Sequence, residues 1–208
     1  MSGNGLGVVT MPALVLVHGN GHAADCWDLT VDEIRRLAPG LTVLAVDLPG
    51  RRSKPGDVRT LNIADFVDSV VIDIEDAGLD DVVIVGHSMA GVTVPGVVTK
   101  LGVSRVREMI FAAACVPREG AAMVDVILWP VALLARRNAK KGAPNKVPAW
   151  LRRFMFFNGV PRQRRRFMSG RLHPDASCIP VEKVSRLGMP IEVPRTWILT
   201  TRDRTHSV

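Results

Sequence analysis

The chain has 208 residues, of which 47% are hydrophobic and 23% are charged, so it can bury the core of one domain. This composition excludes a disordered chain, and no apolar run of about 18 residues predicts a membrane-spanning helix. The net charge is +7, but twelve of the 27 basic residues lie between residues 126 and 174, where no acidic residue occurs. This asymmetry indicates a compositional boundary.

The three cysteines, Cys26, Cys115 and Cys178, are widely spaced and odd in number. They fit neither a disulfide framework nor the spacing of metal ligands, so we expect reduced thiols and no metal site. The first ten residues lack the basic start and long apolar stretch of a secretory signal. These features predict a cytoplasmic protein.

Short apolar runs predict five β-strands, at residues 13–17, 42–46, 81–85, 108–114 and 196–200. The runs are continuous rather than alternating, which is typical of strands that are covered on both faces in a parallel sheet. Helical patterns follow the first three runs, at residues 28–37, 63–77 and 91–101. This alternation of strand and helix predicts an α/β fold with an open, mostly parallel sheet.

The alternation stops after Pro117, and apolar–basic segments at 124–137 and 150–157 predict helices instead. We therefore divide the chain into a first core part at 1–117, a basic helical insertion at 118–190, and a last core strand with its following loop at 191–208. The insertion has the composition of a membrane-surface helix or of a nucleic-acid patch. We prefer a cap whose charges are solvated, with no nucleic-acid partner, and a cap that favours anionic substrates is a further alternative.

The third predicted strand runs into Gly86-His87-Ser88-Met89-Ala90-Gly91, and a predicted helix follows. A strand, Gly-x-Ser-x-small and a helix form the context of a nucleophile elbow, in which a strained turn projects the serine hydroxyl above the sheet. Ser88 is therefore the candidate nucleophile, and the backbone amide of Met89 is a candidate oxyanion donor. An ordinary strand-to-helix turn with a capping serine is the alternative.

The first predicted strand ends in His18-Gly19-Asn20-Gly21-His22, whose glycines let the backbone approach a ligand closely. We expect the amide of Asn20 to join that of Met89 in a two-donor oxyanion hole, with a plain glycine-rich turn as the alternative. Nucleotide binding is disfavoured because the GxGxxG and Walker patterns are absent. We interpret His18 and His22 as residues that brace the loop.

In this arrangement the acid and the histidine of a catalytic triad follow the serine along the chain. Asp203, after the fifth apolar run, is the candidate acid, with a surface carboxylate paired to a neighbouring arginine as the alternative. His206 is the candidate base, although a frayed end of the chain is the simpler expectation for it. His22 and His87 belong to the two loops that we expect at the site, but neither has the expected position for the base. Without a base the serine is a poor nucleophile.

These motifs, together with Asp47-Leu48-Pro49-Gly50 and the stretch from Pro194 to Asp203, resemble the α/β-hydrolase superfamily. Within it they are similar to the group of plant methyl-ester esterases and hydroxynitrile lyases. The resemblance implies an α/β-hydrolase fold with an inserted helical cap. It also implies hydrolysis of a small carboxylic ester through an acyl-enzyme, without a cofactor.

Carried over by position, Ser88 is the nucleophile, Asp203 the acid, and the amides of Asn20 and Met89 the oxyanion donors. Gly19 favours an esterase over hydroxynitrile lyase-like activity, since the lyases typically have threonine there.

Three departures from the group's pattern alter these expectations, and one of them is that the cap is unusually basic. The chain ends before the group's last strand and histidine loop, which implies a C-terminally shortened fold and, as an alternative function, a catalytically impaired hydrolase that acts as a binding module. Arg51-Arg52-Ser53 stands where the group usually has His-Gly before a serine. An open sheet edge also favours a homo-oligomer.

Overall fold

We describe the protein from a computed structural model, in residues 11–157, 159–202 and 204. Within them the β-strands are β1 (Ala13–Val17), β2 (Val43–Val46), β3 (Val82–His87), β4 (Val106–Ala112) and β5 (Arg195–Ile198). They form one sheet in the order β2-β1-β3-β4-β5, and every neighbouring pair is parallel. The predicted parallel sheet is confirmed, with β5 as an edge strand whose residues are all exposed.

The α-helices in the described residues are α1 (Asp28–Leu37), α2 (Ile63–Asp76), α3 (Val94–Leu101), α4 (Trp129–Lys140), α5 (Ala149–Met155) and α6 (Arg162–Ser169). The first three connect successive strands, and the last three lie between β4 and β5. In this described part, no helix has the length and apolar character needed to cross a membrane. The division at 117/118 and 190/191 stays a prediction.

Two helices are shorter than the sequence pattern predicts, in both cases because of a proline. The helix expected at 91–101 is shortened at its start to α3, which has Pro95 in its first turn. The helix expected at 124–137 likewise begins late, as α4, with Pro130 in its first turn. Proline fits the first turn, where its missing N–H needs no partner, whereas deeper in a helix it removes the hydrogen bond to the i−4 carbonyl.

Helix α2 places one apolar face against the sheet and α3. Phe66, Val70 and Ile74, which are about one helical turn apart, are completely buried. A Cβ on Gly96 of α3 would lie only 2.6 Å from Cγ2 of Val67, so the two helices can approach closely only with glycine at this position. Burial of each large side chain contributes roughly 1.5–3 kcal/mol, and this packing fixes the sheet that carries the site.

His18 connects the ends of β1 and β2. Its Nε2 accepts a hydrogen bond from the Leu48 amide at 3.1 Å, and its Nδ1 lies 2.9 Å from the carbonyl oxygen of Gly19. Both contacts fit a neutral ring that carries its proton on Nδ1. Burial, aided by the positive charge of Arg51, lowers the pKa of His18 to about 3. The predicted bracing role of His18 agrees with these contacts.

A buried ion pair connects the segment between β4 and β5 to the loops after β1 and β2. Nη2 of Arg51 lies 2.6 Å from Oδ2 of Asp175, and both side chains are fully buried. The Asp175 carboxylate also accepts the amides of Gly21 at 2.7 Å and of Ala176 at 2.8 Å. Arg51 donates its Nε–H to the carbonyl oxygen of His22. Arg51, where the sequence departs from the group's pattern, thus forms a buried ion pair that connects the loops after β1 and β2.

The backbone of Asp175 also pairs with the stretch of chain between α4 and α5. Asn145 and Asp175 exchange two backbone hydrogen bonds, of 2.7 and 3.0 Å. Next to them, the His173 amide donates to the carbonyl oxygen of Gly21 at 2.7 Å. One residue therefore fixes three stretches of chain that are distant in sequence.

We expect Asp175→Asn to lower the free energy of unfolding by about 3–5 kcal/mol, because it leaves the buried Arg51 guanidinium without its counter-charge. Asp32→Asn is the matched control, since Asp32 and Arg35 form a pair in which both side chains are about 70% exposed (nitrogen–oxygen distance 3.7 Å). That pair contributes about 0–1 kcal/mol. Urea unfolding measures both variants, and equal losses would contradict the role of the buried pair.

His18 makes stability depend on pH. The unfolded histidine binds a proton near pH 6.5, whereas the folded one stays neutral down to about pH 3. Its stabilising contribution is therefore complete above pH 6.5 and is lost on acidification, by about 1.4 kcal/mol per pH unit within this window. Unfolding free energies of the wild type and His18→Gln at a series of pH values should converge as the pH falls. Parallel curves would exclude a neutral buried His18.

Candidate functional site

Ser88 follows β3 directly and begins a 3₁₀ turn, Ser88–Val92, that leads towards α3. Its φ angle is 53°, in the left-handed region that residues with a side chain rarely adopt. The carbonyl oxygen of Ser88 accepts a hydrogen bond of 2.8 Å from the Cys115 amide, which joins the turn to the chain after β4. The turn has the strained backbone that the nucleophile-elbow motif requires.

Three glycines allow neighbouring segments of the chain to pack tightly around the Ser88 turn. A Cβ on Gly91 would lie 2.3 Å from the carbonyl oxygen of Cys115, and one on Gly86 would lie 2.7 Å from Cγ2 of Val94. A Cβ on Gly19 would lie 2.7 Å from Cβ of Ser88. All three distances are too short for a side chain, so the loop after β1 can lie against Ser88 only with glycine at position 19.

The loop after β1 places Asn20 beside Ser88, where both residues line the same cavity. The loop is closed by a hydrogen bond of 3.2 Å from the His22 amide to the carbonyl oxygen of Gly19. Among the residues that the structure describes, no acceptor is paired with the Asn20 amide. Met89 follows Ser88 at the start of the 3₁₀ turn and is completely buried. Of the two predicted oxyanion donors, Asn20 is thus seen at the cavity, and Met89 is next to the serine in the chain.

The cavity at Ser88 has a volume of about 40 Å³ and lies beneath α4 and α5. Apart from Ser88, Asn20 and Asn145, its walls are apolar: Met123, Ile127, Val131, Leu134, Ala135, Val147, Met155, Phe156 and Pro180. Ligand sites typically have hundreds of cubic ångströms. The free space beside Ser88 is therefore small and mostly apolar.

Two histidines lie close to one another beside the turn. The rings of His22 and His87 are 6.0 Å apart and meet edge to face, and His87 makes a similar contact with Trp27 at 6.0 Å. Nδ1 of His22 lies 3.0 Å from the carbonyl oxygen of Asn20. Burial lowers the pKa of His22, which favours the neutral ring at pH 7.

The other predicted site residues, Asp203 and His206, lie outside the described residues. Within the described ones, no group of three or more His, Cys, Asp or Glu side chains is arranged to hold a metal ion. Sequence reasoning missed Asp175, which positions the loop after β1. The signal available for it is its place as the first acidic residue after the basic segment.

Comparisons with known proteins give relatives of this chain. An esterase from Nocardioides sp. (strain SG-4G), named carbendazim hydrolyzing esterase, is 30% identical over 118 residues, 56% of this chain and 48% of the esterase. The chain thus matches about half the length of that relative.

Two solved structures show a similar fold. An extracellular α/β-hydrolase from a Paenibacillus species has a TM-score of 0.81 and 23% identity, covering 90% of this chain and 76% of that one. The methylesterase MES16 from Arabidopsis has a TM-score of 0.69 and 19% identity, covering 95% and 81%.

A sequence profile described as "Alpha/beta hydrolase family" matches residues 14–207, almost the whole chain. The parallel sheet and the strained serine turn agree with that match. The chain belongs to the α/β-hydrolase family.

Proposed function

We propose that this hydrolase cleaves a small carboxylic ester through an acyl-enzyme on Ser88. The observation that carries the proposal is the left-handed Ser88 backbone at the carboxyl end of β3, beside a cavity with apolar walls. Strain of this kind costs energy and is typical of functional sites. The name of the Nocardioides relative supports an esterase as well.

In the proposed reaction, Ser88 Oγ attacks the ester carbonyl carbon while a base removes the hydroxyl proton. The amides of Asn20 and Met89 donate to the oxyanion that forms, and the protonated base returns the proton to the leaving alcohol. Water then attacks the acyl group, the carboxylic acid leaves, and Ser88 regains its proton. Each step needs only protein groups and water, so no cofactor takes part.

Gly19 supports ester hydrolysis over hydroxynitrile lyase-like chemistry. A threonine at this position, as the resemblance gives for the lyases, would bring its Cβ to within 2.7 Å of Cβ of Ser88. The turn would have to shift before such a residue fitted. The glycine keeps the loop amides close to the serine, which is the arrangement an oxyanion hole needs.

The proposed acid is Asp203, and His206 is its candidate partner as the base. His18 is unsuited to this role because its Nε2 already accepts the Leu48 amide. His22 and His87, whose rings meet beside Ser88, are the alternatives for the base.

The proposed cytoplasmic location rests on the cysteines. All three are free, and burial raises the pKa of the Cys26 and Cys115 thiols to about 12, so these two are poorly reactive. The Paenibacillus structural relative is extracellular, so fractionation of the native cells is the test of this location.

We expect Ser88→Ala to lower kcat for p-nitrophenyl acetate by a factor of about 10³ or more, since removing the nucleophile leaves only binding and the oxyanion donors. Ser104→Ala is the matched control. Ser104 is exposed and precedes β4, so it lies at the amino-terminal ends of the parallel strands, whereas Ser88 lies at their carboxyl ends. It should retain wild-type turnover. Turnover that survives in Ser88→Ala, or its absence from the wild-type protein, would contradict the proposal, and the latter would favour a binding module.

The same assay assigns the base when it is run on His206→Ala, His22→Ala and His87→Ala. Turnover lost only in His206→Ala assigns the base to the chain after β5. If His206→Ala retains turnover, loss in His22→Ala assigns the base to the loop after β1, and loss in His87→Ala assigns the base to the residue before Ser88.

A further inference from the structure

A second cavity, of about 100 Å³, adjoins the cavity at Ser88. The two share four wall residues: Asn20, Asn145, Val147 and Phe156. The second cavity is the more polar one, because Lys146, Arg152 and His173 are among the residues that line it. A substrate that occupies both cavities would have to extend past these shared residues.

The charge in this second cavity is uncompensated. Arg152 lies in α5 and is half-buried, and Lys146 precedes that helix. Among the residues that the structure describes, neither cation forms an ion pair, and no carboxylate lines either cavity. The sequence from 126 to 174 contains no acidic residue. Each cation is therefore free to bind an anion that enters the cavity.

The nearest acidic residue in the sequence, Asp175, does not neutralise these cations. Its carboxylate is occupied by Arg51 and by the amides of Gly21 and Ala176. A carboxylate that already has a buried partner contributes little field to a neighbouring cavity.

Asn145 provides a neutral donor at the junction of the two cavities. Its side chain is buried, and Oδ1 accepts a hydrogen bond from Nδ2 of Asn138 at 3.3 Å. The NH₂ group of Asn145 remains as a side-chain donor. An anion between Asn145 and Arg152 would thus meet an amide donor and a guanidinium fork, which suits the two oxygens of a carboxylate.

We propose that the second cavity binds a carboxylate of the substrate, so that the preferred ester carries an acidic group at the end remote from the ester bond. The proposal rests on the ester hydrolysis at Ser88 proposed above. The apolar Ser88 cavity takes the ester and the carbon chain, and Arg152 and Asn145 bind the carboxylate. The substrate class is a monoester of an aliphatic dicarboxylic acid.

Binding tests the proposal without turnover. Titration calorimetry on the Ser88→Ala protein compares adipate and suberate with hexanoate and octanoate, and we expect the dicarboxylates to bind more tightly. Arg152→Gln in that background should weaken dicarboxylate binding about tenfold, as expected for a hydrogen bond to a charged group. Arg153→Gln is the matched control, because Arg153 is the next residue of α5, is exposed and lies outside the cavity lining.

Turnover tests the substrate class directly. Release of methanol from monomethyl adipate and monomethyl suberate is compared with release from methyl hexanoate and methyl octanoate. We expect kcat/KM to be higher for the acidic esters. The ratio of acidic to neutral kcat/KM should fall about tenfold in Arg152→Gln and stay unchanged in Arg153→Gln.

The two measurements separate this inference from the proposed function. Neutral esters hydrolysed without preference for the acidic ones, and dicarboxylate binding insensitive to Arg152→Gln, would overturn the inference and leave the esterase intact. Dicarboxylate binding that depends on Arg152 in a protein that hydrolyses no ester would support the second cavity and overturn the esterase.

Discussion

The arrangement of the site depends on the buried contact between Arg51 and Asp175, 124 residues apart in the chain. Neither side chain reaches solvent, so each charge relies on the other and on the surrounding amides. The same carboxylate binds Gly21 next to Asn20, while the backbone of Asp175 pairs with Asn145. The loop beside the serine and the stretch that enters α5 are thereby placed relative to one another.

This anchoring has a consequence for specificity. The stretch that Asp175 fixes at Asn145 runs directly into Lys146 and then into α5 with Arg152. The Arg51–Asp175 pair thus positions the loop beside Ser88 and also the stretch that carries Lys146 and Arg152. The sequence predicts solvated surface charge for this basic segment, but two of its cations line the cavity that adjoins the Ser88 cavity.

Much of the fold could be predicted from the sequence because its signals are local. The apolar strands and the Gly86–Gly91 turn are contiguous stretches, and the positive φ of Ser88 follows from that turn's pattern. The partnership of Arg51 with Asp175 could not be predicted, because sequence order carries no information about which distant residues meet. Helices α3 and α4 begin later than apolar periodicity predicts, because Pro95 and Pro130 fit only the first turn. Asp203 and His206 lie outside the described residues, so their pairing stays a prediction.

Covalent labelling tests whether the Ser88 hydroxyl is an activated nucleophile. A fluorophosphonate reacts with a serine whose hydroxyl is activated by a base, and peptide mass spectrometry locates the adduct. We expect one adduct, on the peptide that contains Ser88, and we expect it to be lost in Ser88→Ala. No adduct on the wild-type protein, under conditions that label a control esterase, would contradict the claim.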